Sequence, residues 1–95
     1  MNVGILGLGL IGGSLARAYA IEGHSVFAAE NDASMLSFAM LAGAVHGKLD
    51  ESTIPGCDLI LLAIYPNASA SWLEANAHLI NTHTLVTQGC GYREV

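Results

Sequence analysis

The chain has 95 residues, enough for one small domain, and 53% of them are hydrophobic while 12% are charged, a balance that suits strands covered on both faces. A net charge of −5, with Arg17, Lys48 and Arg93 as the fixed cations, excludes a basic footprint for nucleic acid or anionic lipid. No apolar run approaches the roughly 20 residues of a membrane span and no basic leader precedes the first segment, so a cytoplasmic domain without a signal peptide or membrane contact is expected.

In chain order, Asn2 to Leu6 reads as a buried strand, followed by Gly7-Leu8-Gly9-Leu10-Ile11-Gly12-Gly13-Ser14 and a helix from Leu10 to Glu22. Gly7 lets the chain turn out of the strand, and Gly9 leaves room for a pyrophosphate. Gly12 lets the helix lie close to the sheet. The backbone amides of Leu10, Ile11, Gly12 and Gly13 are expected to carry the pyrophosphate charge. Ser14 has two readings, as a helper at the pyrophosphate or as a polar residue satisfying the helix end.

Ile11, Leu15 and Tyr19 stand at helical spacing, and Gly23 is the predicted helix stop. Ser25 to Ala29 is the next buried strand. Glu30 follows at close to the roughly 20-residue spacing expected of the acid that accepts from the adenosine ribose hydroxyls. Asn31 stands where an NADP enzyme often places an arginine, so NAD is the expected cofactor.

Asp32 is a candidate N-cap for a helix through Ala42, with Met35, Leu36, Ala39 and Met40 toward the sheet and Gly43 as the stop. Ala44 to His46 is expected to be a short third strand, and Gly47 to Gly56 a polar connection. The continuous apolar run Asp58 to Ile64 marks a central parallel strand ended by Pro66. A helix from Asn67 or Ala68 to Leu79 and a strand from Thr84 to Thr87 complete the alternation, before the loop beginning at Gln88.

This alternation predicts one α/β domain over residues 1–95, a Rossmann-type doubly wound parallel sheet of order 3-2-1-4-5. Its switch point sets Leu8 to Gly12 opposite Ala63, Ile64, Tyr65 and Pro66. Cys57 and Cys90 match no zinc or redox spacing, which fits a reducing compartment and leaves no expected metal site. His24, His46, His78 and His83 read as surface or packing residues, away from the switch point.

The blocks Gly7 to Ala16, Gly23-His24, Ala42-Gly43-Ala44, Cys57 to Ile64 with Pro66, and Val86-Thr87 through Val95 resemble the N-terminal domain of prephenate and arogenate dehydrogenases. The resemblance covers the whole chain. It implies the cofactor domain of an NAD-dependent enzyme of tyrosine biosynthesis, which oxidises the ring hydroxyl of prephenate as carbon dioxide leaves to give 4-hydroxyphenylpyruvate. Where that family usually has Thr-Asp-Val-Gly-Ser-x-Lys, this chain has Thr87-Gln88-Gly89-Cys90-Gly91-Tyr92-Arg93. Gln88 thus replaces an aspartate beside the cofactor, and Gly91 replaces a serine that polarises substrate.

The family's histidine–proline motif, substrate arginine and dimer-forming helices have no counterpart here. The expectation is therefore a truncated domain, with no catalytic residue of its own, that takes a small substrate (prephenate or arogenate) only with a missing helical domain. A longer natural chain or a partner chain is expected to supply that domain, and a homo-oligomer is a further association left open. The other expectations left open are a freestanding nucleotide-binding module or inactive remnant, and the cofactor domain of another β-hydroxyacid-type dehydrogenase.

Overall fold

The computed structural model describes residues 1–88, so Gly89, Cys90, Gly91, Tyr92 and Arg93, to which the sequence assigned loop roles, lie outside the described residues. The elements are β1 (Asn2–Leu6), α1 (Leu10–Ile21), β2 (Ser25–Ala29), α2 (Ala33–Leu41), β3 (Gly47–Lys48), β4 (Leu59–Leu62), α3 (Pro66–Asn76) and β5 (Leu85–Gln88). All pairings are parallel, and the strand order is β3-β2-β1-β4-β5, the doubly wound arrangement expected.

The alternation of side chains along each strand builds two cores. Val3, Ile5, Val26, Ala28, Leu59 and Leu61 face α1 and α2, where Ala16 and Leu36 are buried against them. Leu6, Ile60 and Leu62 face the other way, toward Leu49, Ile54 and Cys57 and the α3 side chains Trp72 and Leu73. Burial on both faces is what the unbroken apolar run of β4 requires.

Helix ends follow their local chemistry. Asp32 caps α2, its carboxylate accepting from the Ser34 and Met35 amides at 3.0 and 3.2 Å. Gly23 and Gly43 follow α1 and α2 with φ of +94° and +81°, the left-handed stop that favours glycine. Pro66 lies beyond the end of β4 and is the first residue of α3, where a missing N–H costs nothing.

Several boundaries differ from expectation. The third strand is Gly47–Lys48, not Ala44 to His46, because Val45 is buried in the loop while the ladder begins where Phe27 pairs with Gly47. His46 feeds that ladder, its N–H donating to the Val26 carbonyl and its Nδ1 accepting the Val26 N–H. The stretch after β3 is partly ordered, with a 3-10 turn at Ile54–Gly56 and Leu49 and Ile54 buried. β4 ends at Leu62 and not at Ile64, although the Ala63 N–H still donates to the Leu6 carbonyl at 2.9 Å, and α3 gives way at Asn76 to a 3-10 turn over Ala77–Leu79.

On α2, Leu36 is buried and Ala39 half-buried, whereas Met35 and Met40 are exposed. On α1, the buried stripe is Gly12 and Ala16, flanked by Leu15 and Tyr19, and Ile11 lies outside it. No helix among the described residues is long and apolar enough to cross a membrane.

Candidate functional site

The connections leave β1 toward β2 and β4 toward β5, so the C-terminal ends of β1 and β4 diverge and a crevice opens between them. A cavity of about 660 Å³ lies there, lined by Gly7, Gly9, Glu30, Ala63, Ile64, Tyr65 and Pro66. Gly7 leaves β1 with φ +93°, and a side chain there would collide with Ile64 and the Ala63 carbonyl. Its N–H donates to the Ala29 carbonyl at 2.9 Å, which ties the turn to the end of β2.

Gly9 is the N-cap of α1 and offers no side-chain cap, and no acidic residue occupies the first turn. The first N–H groups of the helix and the positive end of its dipole are therefore not compensated by a local side chain. A Cβ at Gly9 would meet nothing within 4 Å, so the space above the turn is open to a ligand. Ser14 donates to the Leu10 carbonyl at 2.9 Å, a bond back along the helix to a carbonyl and not to one of the free N–H groups at its start.

Glu30 is half-buried at the end of β2 and lines the crevice and two adjoining grooves. One carboxylate oxygen accepts the Leu8 N–H at 2.6 Å and the other the Asp32 N–H at 3.0 Å. A carboxylate offers about four acceptor positions, so about two are left for a ligand's hydroxyls. The arrangement suits a group that presents vicinal hydroxyls beside a diphosphate, as a dinucleotide does.

The structure thus brings Gly7, Gly9, Glu30, Ala63, Ile64 and Tyr65 around one cavity. Tyr65 is the N-cap of α3 and is 85% exposed at its mouth. The other expected residues sit differently. Leu8 is buried, and it is its amide that reaches Glu30. Gly12 is buried beneath the turn, and Asn31 lines the two adjoining grooves. Leu10 lies on a separate groove between α1 and α2, and Ile11 is outside the crevice lining. Gln88 ends β5 opposite Leu62.

Some residues join these walls unannounced by any motif. Trp72 belongs to one adjoining groove and Lys48 to another, the last beside Asn31. Lys48 was unreadable as a neighbour of Glu30 because only the β2–β3 pairing brings it there. Asp50, also on that groove, is held below the usual carboxylate range by hydrogen bonds from Ser52, within its own turn. None of the four histidines lines the crevice, and no cluster among the described residues could hold a metal ion.

A protein-family model described as "NADP oxidoreductase coenzyme F420-dependent" matches residues 2–89. A search of curated proteins finds no significant match. Among solved structures, arogenate dehydrogenase from Synechocystis superposes with a TM-score of 0.84 at 27% identity, over 93% of this chain and 32% of that one. Prephenate dehydrogenase from A. aeolicus, solved with hydroxyphenyl propionate and NAD+, gives 0.79 at 19% identity, over 93% and 32%. An imine reductase from Bacillus cereus gives 0.73 at 20% identity, over 90% and 30%, and shares the fold. The chain spans about a third of the length of these structures. The resemblance read from the sequence is borne out, since two of them are an arogenate and a prephenate dehydrogenase.

Proposed function

The chain belongs to the family described as coenzyme F420-dependent NADP oxidoreductases, and we propose that it is the NAD-binding domain of a prephenate or arogenate dehydrogenase. The observation that carries this reading is the crevice in which an open glycine turn, an uncapped helix N-terminus and a carboxylate converge. The space over Gly9 takes the pyrophosphate, whose charge is met by the amides of Leu10, Ile11 and Gly12. Glu30 accepts from the adenosine ribose, with Asn31 beside it, and Ala63, Ile64 and Tyr65 form the opposing wall. Gln88, at the end of β5, faces the nicotinamide half.

Bound NAD supplies the hydride acceptor. In the proposed reaction the ring carbinol carbon of the substrate loses a hydride and its hydroxyl a proton. The electrons of the bond to the departing carbon dioxide then make the ring aromatic. The described residues bind and orient the cofactor, and the substrate carboxylates and the hydroxyl proton fall to a further domain, supplied by a longer chain or a partner, in a cytoplasmic enzyme. Calorimetric titration with NAD tests the binding half. Saturable binding by the parent that disappears in Gly9→Val supports it, and equal titration curves for the two would overturn it.

A further inference from the structure

Glu30 is committed to the protein before any ligand arrives. Its two oxygens are anchored on amides from two different segments, Leu8 in the glycine turn at 2.6 Å and Asp32 at the cap of α2 at 3.0 Å. A hydrogen bond between an ionised acceptor and a backbone N–H is among the stronger ones, and this one spans 22 residues of sequence. Leu8 is held from both sides, its side chain buried in the core under α1 and α2 and its N–H on Glu30.

Gly7 and Gly9 on either side of Leu8 bring no side chains of their own to hold the turn. A Cβ at Gly9 would touch nothing, so no side chain covers that face of the turn. The nearby ties from the turn to its surroundings are the Gly7 N–H on the Ala29 carbonyl and the Gly13 N–H on the Gly9 carbonyl, at 2.9 and 2.7 Å. Both are neutral backbone bonds, and the first ends on the residue before Glu30. The Glu30 bond adds the charged anchor between them.

We infer that Glu30 is a positioning residue for the pyrophosphate half of the site, acting through the Leu8 amide to hold the glycine turn in its binding shape, in addition to any contact with ribose. The inference rests on the dinucleotide reading for its ligand, but the brace itself is a property of the protein alone. Pre-ordering the turn spares the ligand the cost of fixing a flexible loop. The acid would therefore matter even to a nucleotide with no ribose hydroxyls to offer.

Two measurements on the whole chain separate this from a role at ribose only. Hydrogen exchange at the Leu8 amide is read without ligand, and affinity is measured for ADP and for 2′,3′-dideoxy-ADP, which keeps the diphosphate and lacks both hydroxyls. Glu30→Ser should speed Leu8 exchange by at least about tenfold. It should also weaken dideoxy-ADP as well as ADP. Glu30→Gln keeps an acceptor oxygen for Leu8, so it should retain slow exchange and dideoxy-ADP binding while ADP weakens.

Should Glu30→Ser not fold, Glu30→Asp, one methylene shorter, reads the same bond and should likewise speed exchange. Leu8 exchange that stays slow in Glu30→Ser or Glu30→Asp, or dideoxy-ADP affinity unchanged in those variants, overturns the brace. If the parent binds neither nucleotide, the dinucleotide reading fails and the brace loses its ligand, while the exchange result still decides whether Glu30 holds the turn.

Discussion

Gly12 lies so close beneath Gly7 that a methyl group on Gly12 would collide with the Gly7 carbonyl oxygen and stand 3.2 Å from the Ala63 Cβ. The third glycine of the turn is thus required first by the turn itself, and only second by the end of β4. Gly9, two residues into the same turn, has open space where its Cβ would be. The two glycines therefore separate stability from binding.

Gly12→Ala should cost about 1–3 kcal/mol, as overpacking against unyielding backbone does. Gly9→Ala should change stability by no more than about 0.5 kcal/mol. For nucleotide binding the order reverses in kind, because Gly9→Val keeps a folded protein and fills the pyrophosphate space. Thermal denaturation and calorimetry on the same three variants check this, and a Gly12→Ala protein as stable as the parent would refute the contact.

The parent should bind NAD more tightly than NADP. A 2′-phosphate would meet the Glu30 carboxylate, and like charges in a partly desolvated groove repel. Among the described residues Lys48 is the cation on the groove shared with Asn31, but Asp50 lines it too and offsets that charge. Whatever NADP binding remains should fall in Lys48→Ala, with NAD binding unchanged. Parallel titrations of both cofactors decide the matter, and tighter binding of NADP by the parent would reverse the assignment.

Cys57 should be inert in the folded protein. It is fully buried, its Sγ lies 3.6 Å from the Thr53 carbonyl, and burial, aided by the Asp58 charge, pushes its thiol from an ordinary value of 9.0 up to about 11. The folded state thus holds its proton where the unfolded chain has released it. The associated stability is intact below pH 9.0 and is lost as pH rises toward about 11. A thiol reagent at neutral pH should react with Cys57 at the rate of unfolding, and immediate reaction in the native state would contradict the burial.

Much of this architecture was legible because each part has a local cause. The unbroken run through β4, the Asp32 cap and the left-handed glycines after α1 and α2 all announce themselves in sequence. The short edge strand did not, because its two residues, Gly47 and Lys48, carry no apolar signal, and the apolar Val45 nearby is buried from a loop. Met35 and Met40 were misread as sheet-facing because α2 is apolar nearly all round, with Phe38 and Leu41 also exposed, so periodicity could not choose its face. At the site, the residue types and spacing pointed to Glu30, but its bond to the Leu8 amide depends on how β1 and β2 end side by side.

The 95-residue chain alone should not turn over prephenate. Oxidation of the ring hydroxyl needs a group to take its proton and cations to hold two carboxylates. Among the described residues, the titratable ones lining the crevice are Glu30, whose oxygens already hold two amides, and Tyr65, exposed at the mouth. Loss of acid–base assistance alone removes about 10² to 10⁴-fold in rate, and an unbuilt substrate site removes the positioning as well. NADH formation from prephenate and NAD should stay at background, and should appear when the helical C-terminal domain of a related dehydrogenase is fused to the chain. Turnover by the chain alone would mean that one of its own side chains does the chemistry, and loss of that activity in Tyr65→Phe would identify the phenol as the group responsible.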